Sequence, residues 1–305
     1  MKPRIALVGG LDASAESLLD CRADLVRVQD WSEASLAAAV EDCDALIVRT
    51  FVPVTRRVLE GAKRLRVVGV AGVGTDRIDT RVAADRGVAV LNMADAASDA
   101  VAEFTIALML GLLRPVSRLM GEYQAGRFER ARKTPHGVEL RELTVGILGL
   151  GRIGSRVARI CSAGFGARVL FHDIVDKSEL PFTARTCGLQ ELLTSSDMLT
   201  LHVPLDESTR GLLNAPRLAQ MKSSARLINT ARGEVVSTAA LTEALSAGRL
   251  AGAALDVIDP EPLPAEHPLF ALPNCILTPH VAARSVGGLQ RMSEIAGRVL
   301  KFLGG

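Results

Sequence analysis

Aromatic residues are scarce in this 305-residue chain, which has eight phenylalanines, one tyrosine and one tryptophan. A stacking platform for single-stranded nucleic acid needs several exposed rings, so that class is excluded. Charge of one sign is lacking too. The 36 lysines and arginines against 34 aspartates and glutamates leave a net charge of +2. That is no electrostatic footprint for DNA or RNA. No apolar run is long. The cleanest, Ile106 to Leu113, stops at Arg114-Pro115, far short of the ~20 residues of a membrane helix. The five cysteines (Cys21, Cys43, Cys161, Cys187 and Cys275) are odd in number, widely spaced and without a C-x-x-C pair. Neither a disulfide framework nor a zinc site follows, so no metal is expected and a reduced, cytoplasmic compartment is the plain reading.

What is present is a rich apolar content, 48%, which excludes disorder as the main state. The length suits two domains. Lys2 and Arg4 before the run Ile5 to Leu11, with Ala13-Ser14-Ala15 after it, imitate a secretion signal. Gly9 and Gly10 interrupt that run, so it reads as a first strand ending in a glycine turn.

Short apolar runs alternate with helical patterns, the signature of parallel βαβ units. A first set comprises Ile5–Val8, Asp24–Val28, Ala45–Val48, Arg66–Val70 and Val88–Leu91, about 20 residues apart. From Asp99 to Leu113 the pattern becomes one long apolar helix, with Asp95 or Ser98 as its expected cap. The polar, basic stretch Gly126 to Glu142 reads as a bridge between two domains. A second set follows: Thr144–Leu148, Arg168–His172, Met198–Val203, Arg226–Asn229, Ala253–Val257 and Ile276–Thr278. Helices are expected over Ser155–Ala163, Leu189–Thr194, Pro216–Met221 and Ala239–Ala247. Val286 to Leu303 reads as one amphipathic helix returning to the first domain.

The strongest local signal is Gly149-Leu150-Gly151-Arg152-Ile153-Gly154, which follows one expected strand and opens one expected helix. Gly149 permits the tight turn, Gly151 lets a pyrophosphate approach the backbone, and Gly154 lets helix and strand pack closely. The helix N-terminus offers free N–H groups to the phosphates. Asp173, 19 residues past Gly154 at the end of the next strand, accepts from ribose hydroxyls and repels a 2′-phosphate. It therefore favours NAD over NADP. The bland alternative is an empty glycine turn beside a surface aspartate.

Ligands in open α/β sheets bind outside the carboxyl ends of the strands. Those ends are polar here: His202-Val203-Pro204, Thr230-Ala231-Arg232, Asp256 followed by Asp259-Pro260-Glu261-Pro262, and Thr278-Pro279-His280. Arg232, Asp256, Glu261 and His280 can converge on one crevice with the cofactor. Taken singly, each also reads blandly, as a solvated turn arginine, a turn-capping aspartate, a loop acid and a structural histidine. Thr134-Pro135-His136 repeats the tripeptide before His280 but follows no strand, so His136 reads as a loop residue. In the first domain, Arg49-Thr50 ends one strand and Gly72-Val73-Gly74 another. Backbone N–H groups of such a turn suit an anion, and with Arg49 they form a candidate carboxylate wall.

These segments together resemble the D-isomer-specific 2-hydroxyacid dehydrogenases, the family of phosphoglycerate, glyoxylate/hydroxypyruvate and D-lactate dehydrogenases. The likeness runs from Val48-Arg49-Thr50 and Ala71-Gly72-Val73-Gly74-Thr75-Asp76 through the glycine turn. It continues in Asn229-Thr230-Ala231-Arg232-Gly233, Ala254-Leu255-Asp256-Val257, His267-Pro268-Leu269-Phe270 and Leu277-Thr278-Pro279-His280. It implies two Rossmann-like, doubly wound parallel-sheet domains with the active site in the cleft between them. Residues 1–97 with the C-terminal helix 284–305 would form the substrate domain, and 98–283 the NAD-binding domain. It implies a homodimer with the helix beginning near Ser98 in the interface. Arg232, Glu261 and His280 would be catalytic. Gly149, Gly151, Arg152, Ile153, Gly154, Asp173, His202, Val203, Pro204, Thr230, Ala231 and Asp256 would bind NAD, with Asp256 at the nicotinamide end. Arg49, Val73 and Gly74 would bind a small 2-hydroxy or 2-oxo acid. The alternative from another class is an NAD(H)-sensing, corepressor-like protein without turnover, which has no need of the complete Arg232, Glu261, His280 set. A formate-type site on the same fold is expected to replace the Glu/His pairing. Ala97 and Ala100 stand where many relatives carry Asn and Ser, and Val70 where some phosphoglycerate dehydrogenases carry arginine.

Overall fold

The computed structural model describes residues 2–133, 136–177 and 179–304. It divides into two compact units, Met1–Ser98 with Ala283–Gly305, and Asp99–Ala282.

The first unit is built on β1 (Arg4–Val8), β2 (Asp24–Val28), β3 (Ala45–Arg49), β4 (Val67–Ala71) and β5 (Ala89–Asn92). All pairs are parallel, in the order β2-β1-β3-β4-β5. β3 and β4 are buried along their whole length, as expected when helices cover both faces of a parallel sheet. The helix Ile295–Gly304 lies on β4 and β5. Gly69 makes room for it, since a Cβ there would lie 2.6 Å from a Val299 methyl carbon. The C-terminal segment is two helices, Val286–Ser293 and Ile295–Gly304, where one was expected. The hydroxyl of buried Ser293 donates back to Leu289 O (2.9 Å) and accepts from Asp12 N (3.0 Å). Such back-bonding bends helices.

The second unit carries β6 (Thr144–Leu148), β7 (Arg168–His172), β8 (Arg185–Thr186), β9 (Met198–Leu201), β10 (Arg226–Asn229), β11 (Gly252–Leu255) and β12 (Cys275–Leu277). Their order is β12-β11-β10-β9-β6-β7-β8, again parallel throughout. One apolar cluster joins Leu199, Leu227, Leu241 and Leu245. A second joins Val145, Ile147, Ile228 and Ala254 to Ile106, Met109 and Leu113 of the helix Ser98–Leu113. Ser98 does not cap that helix; it is its first residue, buried, with an Oγ that meets no hydrogen-bond partner. The stretch Gly126 to Glu142 is not a bridge between the units. It lies inside the second and contains the helix Phe128–Lys133. Of the repeated tripeptide, Thr134 and Pro135 lie outside the described residues; His136 Nε2 is 2.7 Å from Ala131 O. β8 was not expected, and two residues carry too little alternation to register. The glycine-turn helix runs Arg152–Arg159, three residues earlier than expected, and continues as a π-turn over Ile160–Gly164.

Candidate active site

In the second sheet the strand order reverses between β6 and β9, the position at which a crevice opens at the carboxyl ends. Gly149 leaves β6 with φ +90°, and a Cβ on it would lie 2.8 Å from the His202 carbonyl oxygen at the end of β9. A Cβ on Gly154 would collide with the Gly149 carbonyl oxygen. Both glycines are therefore required by packing. Gly151 is not: its backbone is extended (φ −76°, ψ −158°) and nothing lies within 4 Å of a Cβ built there. The helix it opens has no side-chain cap, so its first N–H groups face outward without one.

Asp173, at the end of β7, braces this turn. One carboxylate oxygen accepts from Leu150 N (2.7 Å), the other from Val175 N (2.8 Å). Each oxygen keeps a further lone pair for a hydroxyl. The next two side chains, Ile174 and Val175, are exposed and uncharged, so they offer no cation to a 2′-phosphate. His202 donates its N–H to Leu148 O (2.7 Å), and its Nε2 is 3.0 Å from the Thr200 hydroxyl. Burial pushes its imidazole down to about 3, so the ring is neutral. Val203 packs beside Gly149, and Pro204 is exposed.

At β10 the strand ends in a turn organised by Asn229, whose side chain accepts from Ala231 N and donates to Arg232 O. Thr230 is buried, its hydroxyl 3.0 Å from that of Thr105. The Arg232 guanidinium donates to Ala231 O (2.7 Å).

Asp256 follows β11 and is 2% exposed. Its carboxylate accepts from the Thr278 hydroxyl (2.7 Å), Val281 N (2.9 Å) and Ala282 N (2.8 Å), while its carbonyl accepts from His280 N (2.9 Å). Four bonds thus clamp the loop after β12. Within it His280 has φ +53°, a left-handed conformation unusual for a non-glycine residue. The clamp fixes the backbone, and the Glu261 carboxylate fixes the ring: His280 Nδ1 lies 2.8 Å from Glu261 Oε1. With Nδ1–H donating to the carboxylate, Nε2 is the nitrogen left to exchange a proton with a ligand. The sequence offers Asp256 to the cofactor or to the turn that follows it; the structure adds a third role, since the carboxylate holds the loop after β12 through Thr278, two residues before His280, and through Val281 and Ala282.

A family model described as "D-isomer specific 2-hydroxyacid dehydrogenase, NAD binding domain" matches residues 106–282. The chain belongs to that family. The dehydrogenase is 39% identical over 280 residues to a glyoxylate reductase of Thermofilum pendens, covering 89% of this chain and 82% of that one. It is 35% identical over 304 residues to a D-3-phosphoglycerate dehydrogenase of Methanocaldococcus jannaschii, 98% of this chain but only 57% of the relative. The solved structure of an NADPH-dependent glyoxylate/hydroxypyruvate reductase from Sinorhizobium meliloti superposes with a TM-score of 0.90 at 33% identity, covering 99% and 94% of the two chains. Family membership makes the protein an oxidoreductase of CH–OH groups with NAD as its cofactor. The glycine turn fits that cofactor, since open space over Gly151 and uncapped N–H groups are what a pyrophosphate needs.

Proposed function

We propose that this dehydrogenase interconverts a small D-2-hydroxy acid and its 2-oxo acid, with glyoxylate, hydroxypyruvate and 3-phosphohydroxypyruvate as the candidates to which its relatives point. The observation that carries the reading is the His280–Glu261 pair at 2.8 Å, mounted on the Asp256 clamp. Gly149, Gly151, Arg152, Ile153 and Gly154 hold the pyrophosphate, and Asp173 the ribose. His202, Val203, Pro204, Thr230, Ala231 and Asp256 line the rest of the cofactor.

NADH, when bound, supplies the hydride that reduces the carbonyl carbon. Arg232 binds the substrate carboxylate and places positive charge where the oxyanion develops. His280 Nε2 delivers the proton to that oxygen, and Glu261 orients the ring and stabilises the imidazolium. Arg49 and the N–H groups of Val73 and Gly74 provide further substrate contacts. A cytoplasmic homodimer belongs to the same reading. In support, Val116, Met120 and Tyr123 form an exposed apolar stripe on the helix Val116–Gln124, which buries no residue of its own. A corepressor-like protein without turnover has no use for the His280–Glu261 pair. The decisive experiment is an NADH-oxidation assay across glyoxylate, hydroxypyruvate, 3-phosphohydroxypyruvate, pyruvate and bulkier 2-oxo acids. Tight NADH binding with no oxidation by any of them favours the sensing protein.

A further inference from the structure

The turn after β4, Gly72-Val73-Gly74, lies between the ends of β3 and β5. On the β3 side it is tightly packed, since a Cβ on Gly72 would collide with the Thr50 side chain. On the β5 side two of its carbonyls are held. Gly72 O accepts from Met93 N (2.8 Å), and Val73 O accepts from Asn92 Nδ2 (2.7 Å). Asn92 is itself anchored. It pairs with Val70 across the sheet, and its carbonyl accepts from Arg298 Nη1 (3.2 Å) of the helix Ile295–Gly304.

A trans peptide is planar, and its C=O and N–H point in opposite directions. Both peptides of the turn, Gly72–Val73 and Val73–Gly74, are trans. Their carbonyls are drawn toward β5, so the N–H groups of Val73 and Gly74 both aim the other way. Among the described residues neither N–H meets an acceptor, and both residues are only half-buried. Two successive donors held in one direction suit an anion. The Met93 bond comes from backbone, and any residue but proline supplies it. The Asn92 bond comes from a side chain, and only an NH₂ can face a carbonyl oxygen there. Asparagine is a poor strand former, so its place at the end of β5 is explained by the donor it brings.

We propose that Asn92 is a positioning residue for the substrate: its side-chain amide holds the Val73–Gly74 peptide so that an N–H, not a carbonyl, faces the substrate carboxylate. This rests on the reading in which Val73 and Gly74 bind a 2-oxo acid. Without the tether the peptide is free to turn, and a turned peptide presents its oxygen to the anion. Holding the donors in the bound orientation removes an ordering cost from binding. The carboxylate takes no part in hydride transfer, so the contact is the same in the ground state and the transition state. Its loss raises KM and spares kcat.

The test compares wild type, Asn92→Ala and Asn92→Asp. Alanine removes the donor. Aspartate keeps the shape but repels the Val73 carbonyl and attracts the Gly74 N–H, which favours the turned peptide. With the 2-oxo acid that wild type reduces best, KM rises at least about tenfold in Asn92→Ala, the size of one hydrogen bond to a charged group, and further in Asn92→Asp. In both variants kcat changes little, and NADH affinity by fluorescence titration is unchanged, which also shows that they fold. In a second arm, amide NMR of enzyme with isotope-labelled valine and glycine follows the addition of oxamate, an unreactive 2-oxo acid analogue. The Val73 and Gly74 signals move in wild type and need about tenfold more oxamate in Asn92→Ala. An unchanged KM, a fall in kcat without a rise in KM, or a loss of NADH affinity that matches the rise in KM makes Asn92 a residue of stability alone and overturns the proposal. If wild type reduces no 2-oxo acid, the proposed function fails and the NMR arm decides. Signals that move in wild type but not in the variants then uphold the role of Asn92; signals that stay still in wild type overturn it.

Discussion

Alanine substitution at the three glycines of the cofactor turn separates folding from binding. At Gly154 the new Cβ meets the Gly149 carbonyl oxygen. The obstacle is backbone and does not swing aside, so the cost falls at the upper end of the roughly 1–3 kcal/mol of overpacking. At Gly149 the left-handed φ of +90° and the His202 carbonyl at 2.8 Å cost about 1–3 kcal/mol. At Gly151 the extended backbone accepts alanine, and the space is open. There the change is neutral or stabilises by up to ~1 kcal/mol, through the unfolded chain. Urea titration should rank Gly154→Ala and Gly149→Ala well below wild type and leave Gly151→Ala at or above it. NADH fluorescence titration should show Gly151→Ala binding at least about tenfold more weakly despite its intact fold, because the added methyl occupies the approach of the pyrophosphate. A Gly151→Ala protein with wild-type NADH affinity would refute the assignment of that space to the cofactor. Equal destabilisation by all three substitutions would refute the packing argument.

Arg232→Lys keeps the charge but loses the planar fork, so kcat/KM should fall about 10²-fold or more; near-wild-type activity moves the carboxylate site elsewhere. Asp173→Ala should narrow the ratio of kcat/KM for NADH over NADPH, and a wild-type preference for NADPH would contradict its role. Because burial holds His202 neutral down to about 3, the unfolded chain binds a proton that the folded chain refuses. Stability from this residue is present above about pH 6.5 and is lost as pH falls below it. In denaturation at pH 7 and pH 5, His202→Gln should lose less stability than wild type over that interval, and an identical loss would show that His202 is solvated.

Much of this architecture was legible because parallel strands buried on both faces are written as unbroken apolar runs. Residues 145–148 and 169–171 are such runs, and the glycine turn was legible because Gly149 and Gly154 answer steric demands while Gly151 keeps space open. The edge strand Arg185–Thr186 was not, since an exposed two-residue strand leaves no pattern to read. The break at Ser293 was equally hidden, because it depends on Asp12, 281 residues away. The same distinction separates Asp256 from Glu261. Both are acids at a strand end, and sequence alone gives either one to a ligand. What distinguishes them is the chain that returns past β12: it delivers the Thr278 hydroxyl and the N–H groups of Val281 and Ala282 onto Asp256, leaving Glu261 to take the ring of His280. A buried carboxylate that satisfies three donors cannot be replaced by an amide without turning one acceptor into a donor. Asp256→Asn should therefore leave one of those N–H groups facing an NH₂ and release the left-handed turn at His280. The expected cost is about 1.5–3 kcal/mol of stability, together with a fall in kcat. An Asp256→Asn enzyme of normal stability and turnover would mean that His280 holds its conformation without the clamp.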